Sequence, residues 1–203
     1  MKTEIDAQTV KKLRDETGAG MMNCKKALAD NNGDYEKAVE ALRLKGMATA
    51  DKKASRNTNE GIIYAYIHTG SKLGILVEVN CETDFVARRT EFTDLAKNIA
   101  MQIASNPEIQ VVSTNDISEA EKEKVAKFES AKEDLQNKPE AIRNKIVEGR
   151  VEKSLKKQVL LEQEYIRDPS ITVQEYIKQV VGVLGENIKV TRFTRYVLGE
   201  TEK

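Results

Sequence analysis

The side chains that most often carry chemistry are scarce in this sequence of 203 residues. There is one histidine, His68, so neither a two-histidine metal site nor a histidine-based proton relay can be assembled. Cys24 and Cys81 are the only cysteines, and each sits inside an apolar pattern with no cluster of ligand types beside it. They read as two buried free thiols in a reducing compartment rather than as a disulfide. Gly18-Ala19-Gly20 with Lys25-Lys26 brings together the residue types of a phosphate loop. No Gly-Lys-Ser/Thr follows at the required distance and no strand precedes it, so a turn between two helices is the better reading. No carboxylate pair stands out from the general surface charge, and His68 reads as a strand-end residue. These residues point to a binding or regulatory protein, not an enzyme, with neither metal nor cofactor.

Composition narrows the partners. Lys and Arg number 33 and so do Asp and Glu, 5% of residues are aromatic, and there is no Trp. A nucleic-acid binder shows a basic excess or stacking platforms, so no direct nucleic-acid partner is expected. The apolar runs are too short for a membrane span, and Met1-Lys2-Thr3-Glu4 opens no apolar signal segment. The default expectation is a cytoplasmic protein, with an organelle matrix or stroma as the alternative.

Stepping along the chain, residues 1–50 read as three short helices. Asp6 can cap the first, which carries Val10 and Leu13 inward and ends at Gly18. The second buries Cys24, Ala27 and Leu28. Asp34 caps the third, with Tyr35, Ala38, Val39, Ala41 and Leu42 inward and Gly46 closing it. Residues 51–60 lack apolar periodicity and read as a linker. Two strands follow, 62–68 and 73–81, around the turn Thr69-Gly70-Ser71, and the second alternates cleanly with period two. Phe92, Leu95, Ala96, Ile99 and Ile103 make a helical stripe. From about 117 to 164 the chain is densely charged: Ser118-Glu119-Ala120-Glu121 forms a capping box, Val125, Phe128 and Leu135 make a thin stripe, and Asn137-Lys138-Pro139 restarts a second helix. A helical hairpin is expected there. A further helix carries Tyr176, Ile177, Val180, Val181 and Leu184 inward, and a last strand, 188–198, switches its apolar face near Arg192, as at a bulge. The fold class is α+β: a small antiparallel sheet core, residues 61–203, covered by helices.

Two segments go further. Lys12-Leu13-Arg14 with Thr17-Gly18-Ala19-Gly20-Met21-Met22-Asn23-Cys24-Lys25-Lys26-Ala27-Leu28, and Glu78-Val79-Asn80-Cys81-Glu82-Thr83-Asp84-Phe85-Val86-Ala87, resemble the two signatures of the translation elongation factor Ts family, in its order and separation. Ile146-Val147-Glu148-Gly149-Arg150, Leu160-Leu161-Glu162-Gln163 and Asp168-Pro169-Ser170 extend the resemblance over the chain. Glu164 departs from it, standing where many members have proline. The resemblance implies an amino-terminal three-helix ubiquitin-associated-like (UBA-like) domain and a core with a coiled-coil hairpin, in the short form with one sheet subdomain. It implies a guanine-nucleotide exchange factor that binds elongation factor Tu, GDP-bound and nucleotide-free. Thr83, Asp84, Phe85 and Val86 would enter the partner's GTPase domain and dislocate its Mg²⁺, while Arg14, Met21 and Met22 would dock the amino-terminal helices.

The residues alone give a plainer account of each motif. Thr83-Asp84-Phe85-Val86 can simply start a helix, with Thr83 as cap and Phe85 and Val86 in the core. Met21 and Met22 can be packing residues, although paired exposed methionines suit an adaptable binding surface. A non-exchange adaptor built on the three-helix domain is the other functional expectation. Three strands leave open sheet edges, and strand 62–68 is apolar on both faces, so a homodimer is expected to cover them.

Overall fold

A computed structural model describes residues 5–135 and 139–200. The expectations for Met1-Lys2-Thr3-Glu4 and for Asn137 and Lys138 lie outside the described residues. Helices and strands alternate irregularly along the chain, the α+β class. The described residues fall into two compact units. One holds the residues up to Tyr64, Glu78–Lys97 and Glu175–Val190; the other holds Ala65–Val77, Asn98–Gln174 and the described residues from Thr191 on.

In the first unit, helices α1 (Ala7–Thr17), α2 (Met21–Asp30) and α3 (Tyr35–Lys53) close over Val10, Leu13, Cys24, Ala27, Leu28, Ala38 and Leu42. The caps are those the sequence calls for. Asp6 accepts the Thr9 N–H, Asp34 accepts the Lys37 N–H, and Gly18 ends α1 at φ 65°, a conformation that favours glycine. Gly46 does not close α3, which runs on through Lys53, into the stretch read as a linker. The reason is a close crossing with helix α8 (Val173–Leu184): a Cβ on Gly182 would lie 2.7 Å from the Gly46 Cα. A mid-helix glycine costs roughly 1 kcal/mol in propensity, offset here by backbone approach. Lys178 of α8 pairs with Asp51 of α3 at 2.7 Å.

Strands β1 (Glu60–Ile67), β2 (Leu73–Cys81) and β5 (Lys189–Val197) make one sheet in the order β1-β2-β5. Ile75, Val77, Val79 and Cys81 of β2 are all buried, as period two requires. Burial along β5 changes phase at Thr191–Arg192, where the apolar pattern switches face. Helix α5 (Thr90–Ser105) buries Phe92, Leu95, Ala96, Ile99 and Ile103 completely.

The second unit contains α6 (Glu119–Ser130) and α7 (Glu140–Lys156), which pack on each other around Ile117, Val125, Leu155 and Val159. Ser118 caps α6 through the Glu121 N–H. Leu135 is buried, but Phe128 is not part of the inward stripe: its ring is exposed with the Lys132 ammonium 5.2 Å from its centroid. A two-stranded ribbon, β3 (Glu164–Tyr165) and β4 (Asp168–Thr172), adds to the three strands expected. Glu164 therefore sits in a strand, where the buried Gln102 amide donates to its carbonyl at 3.1 Å and accepts the Ile166 N–H at 2.9 Å.

Candidate functional site

The two motif segments lie in the first unit. Around the first, Thr17 donates its hydroxyl to the Leu13 carbonyl at 2.6 Å and accepts the Ala19 N–H at 3.3 Å. The Gly18 N–H closes on the Arg14 carbonyl at 2.8 Å, and a Cβ at Gly18 would meet Val183 of α8 at 3.0 Å. Gly18-Ala19-Gly20 is thus a helix-to-helix turn, tied inward by its own backbone. It leaves Arg14 exposed in the last turn of α1, and Met21 and Met22 in the first turn of α2. Met22 is 77% exposed. The structure thus brings Arg14, Met21 and Met22 to the two sides of one short turn.

The second segment is a corner. β2 ends at the buried Cys81, and Thr83, in extended conformation, caps the one-turn helix α4 (Asp84–Ala87) by accepting the Val86 N–H at 3.4 Å. The Cys81 thiol donates to the Thr83 carbonyl at 3.1 Å. Burial and then the nearby Glu186 carboxylate push that thiol up to about 11, so it stays protonated and unreactive at neutral pH. Both Cys81 and Cys24 are buried free thiols.

The four residues of the motif part company at this corner. Val86 is buried, Thr83 turns its hydroxyl inward, and Asp84 pairs with Arg88 one turn on at 2.8 Å. Phe85 is 79% exposed, so the plain reading that places it in the core does not hold. A phenyl ring left in water on a helix start forgoes roughly 1.5–3 kcal/mol of burial.

Polar contacts from behind hold the corner. The Glu186 carboxylate accepts the N–H groups of Glu82 and Thr83 at 3.1 and 3.0 Å and the Thr83 hydroxyl at 2.6 Å. Glu82 in turn accepts the Asn187 N–H at 2.6 Å and pairs with Arg56 at 3.3 Å. The Asn187 N–H, followed by the Arg56 charge, holds the Glu82 carboxyl below its ordinary value. Asn187, itself buried, donates its side-chain amide to the carbonyls of Ala54 and Arg56. Sequence reading missed Glu186 and Asn187. They follow a helix-ending glycine and precede a strand, and no periodicity marks a polar residue that turns inward.

His68, just past β1, is exposed and meets the Tyr66 hydroxyl at 2.9 Å. Among the described residues, no group of three or more His, Cys, Asp or Glu is placed to hold a metal ion, and no helix is long and apolar enough to cross a membrane.

Comparison with known proteins gives these segments a context. The family model for elongation factor Ts matches residues 4–200. A relative from Phaeodactylum tricornutum named "Elongation factor Ts, chloroplastic" is 82% identical over 202 residues, covering 100% of both chains. One of the same name from Rhodomonas salina is 58% identical over 200 residues, 98% of this chain and 91% of that one. "Elongation factor Ts" from Rippkaea orientalis is 57% identical over 197 residues, 97% of this chain and 79% of its own length. With the family model matching residues 4–200 and relatives matching along nearly the whole chain, the chain belongs to the elongation factor Ts family of translation elongation factors.

Proposed function

We propose that the protein binds elongation factor Tu carrying GDP, enters its GTPase domain with the Asp84–Phe85 corner, disturbs the Mg²⁺ there and so releases GDP for replacement by GTP. The observation that carries this reading is Phe85: an aromatic ring 79% exposed on a four-residue helix whose next two residues, Val86 and Ala87, are buried. Mg²⁺ demands near-ideal octahedral oxygen geometry, and losing one outer-shell support costs about 10–100-fold in metal affinity. A rigid apolar wedge that displaces such a support therefore weakens nucleotide binding without covalent chemistry. Arg14, Met21 and Met22 dock the amino-terminal helices on the same partner, flexible thioethers adapting to its surface. Thr83 and Val86 act from behind, one as the cap and the other as the anchor of the corner. The protein turns over nothing itself and needs no cofactor.

The relatives named chloroplastic favour the organelle over the cytoplasmic default, so we place the protein in the chloroplast stroma. It works there as a homodimer. Ile67 and Leu76 stand exposed on the sheet, with Tyr196 exposed on β5, an apolar face that a second copy can cover by an isologous contact.

Linkage supplies the test. If this protein lowers the affinity of elongation factor Tu for GDP by some factor, GDP lowers the affinity for this protein by the same factor. Titrating GDP into the complex should dissociate it, each tenfold of coupling being about 1.4 kcal/mol. A complex indifferent to saturating GDP would rule the exchange reading out.

A further inference from the structure

Glu186 is not in either signature segment, yet its carboxylate accepts three hydrogen bonds from the corner. One oxygen accepts the N–H groups of Glu82 and Thr83, at 3.1 and 3.0 Å, and the other accepts the Thr83 hydroxyl at 2.6 Å. The return contact is crossed: the Glu82 carboxylate accepts the N–H of Asn187, the residue after Glu186, at 2.6 Å. Glu186 thus grips the backbone of Glu82 and Thr83, and Glu82 grips that of Asn187. The aiming of Glu186 is itself fixed, because Gly185 ends α8 at φ 78° with its N–H on the Val181 carbonyl at 2.9 Å. The two neighbours of Glu186 hold the end of α3 and the residues that follow it. The Lys53 ammonium donates to the Gly185 carbonyl, and the Asn187 amide donates to Ala54 at 3.3 Å and Arg56 at 2.8 Å.

A plain reading is that Glu186 only satisfies backbone donors that would otherwise be orphaned. Three features ask for more. A single helical turn does not hold itself, since nucleation is unfavourable until propagation repays it. Phe85 has no core packing to set its direction, being exposed while Val86 and Ala87 are buried. And the charge-assisted bonds fall on the residues immediately before Asp84, where the chain turns from strand to helix. The direction of the ring is therefore set by the backbone of residues 82–84, which Glu186 fixes.

Resting on the exchange reading above, we propose that Glu186 is a positioning residue for nucleotide release. Its carboxylate fixes the Glu82–Thr83 backbone and so holds Phe85 in the direction of entry, relative to docking helices that Gly185–Asn187 also grips. Removing it leaves docking intact and misaims the wedge.

The test is the release of fluorescent GDP from elongation factor Tu by stopped flow, over a range of concentrations of this protein. Glu186→Ala should lower the maximal rate by about tenfold or more, as small misplacements at a reacting centre do, and leave the half-saturating concentration near that of the parent. Glu186→Gln retains an acceptor oxygen for the two N–H groups and should recover most of the rate. Combined with Phe85→Ala, the loss of Glu186 should add nothing further, because it acts through that ring. A maximal rate for Glu186→Ala equal to the parent's, or a loss that simply adds to that of Phe85→Ala, would overturn the proposal. If Glu186→Ala fails to melt cooperatively, Glu186→Asp carries the same test: its carboxylate, one methylene shorter, meets the Glu82 and Thr83 groups less well, and it should lower the maximal rate less, again with nothing added on Phe85→Ala. If Phe85→Ala itself releases GDP at the parent rate, the exchange reading falls and this proposal with it. If Phe85→Ala is slow while the Glu186 variants are not, only the positioning role is lost.

Discussion

Phe85 and Val86 are neighbours of the same chemical kind, and the difference between them comes from one turn of backbone. Thr83 starts α4 so that Val86 points to the core and Phe85 away from it. Pattern alone placed both inside, because a four-residue helix is too short to show periodicity. Glu82, behind the corner, has a pH signature. The folded-state pKa of Glu82 is depressed, so its contribution to stability is complete above the ordinary value of 4.5 and is lost as pH falls further, through the folded value. Glu82→Gln should lower the melting temperature at neutral pH and flatten its fall on the acid side of that value. A variant that melts with the parent's acid dependence would show that the Asn187 and Arg56 contacts to Glu82 carry no stability.

At the scale of elements, caps and stripes were legible. Asp6, Gly18, Asp34 and Ser118 act where the sequence puts them, and the α5 stripe is buried at every expected position. Gly46 misled because a glycine that ends a helix and one that lets another helix approach look alike without the partner. The two glycines of that crossing make opposite predictions. On Gly182 a Cβ would sit 2.7 Å from backbone that cannot rotate away, so Gly182→Ala should destabilise by about 1–3 kcal/mol. On Gly46 it would lie an ordinary 3.8 Å from Gly182, so Gly46→Ala should be neutral or stabilise by up to about 1 kcal/mol. Chemical denaturation of the two variants compares them directly; an equally stable Gly182→Ala would refute the close crossing. The β3–β4 ribbon went unseen because two-residue strands carry no alternation, and Glu186 because inward polar contacts are a property of the fold, not of a pattern.

For the whole molecule, sequence resemblance reached further than physics read from composition. Neutral net charge and absent chemistry excluded functions but named none; the signatures named the family, and geometry then separated Phe85, the exposed ring of the second signature, from the buried residues beside it. The apolar sheet face predicts assembly: light scattering at micromolar concentration should give twice 22.8 kDa, and a mass of 22.8 kDa unchanged as concentration rises would reject the homodimer. The central claim is that this protein drives GDP from elongation factor Tu through Phe85. Labelled GDP bound to elongation factor Tu, mixed with the parent protein or with Phe85→Ala, measures it directly. The ring is exposed, so the variant should melt as the parent does, yet release label more than about tenfold slower, a loss of at least about 1.4 kcal/mol at the barrier. A folded Phe85→Ala that releases GDP as fast as the parent would contradict the claim.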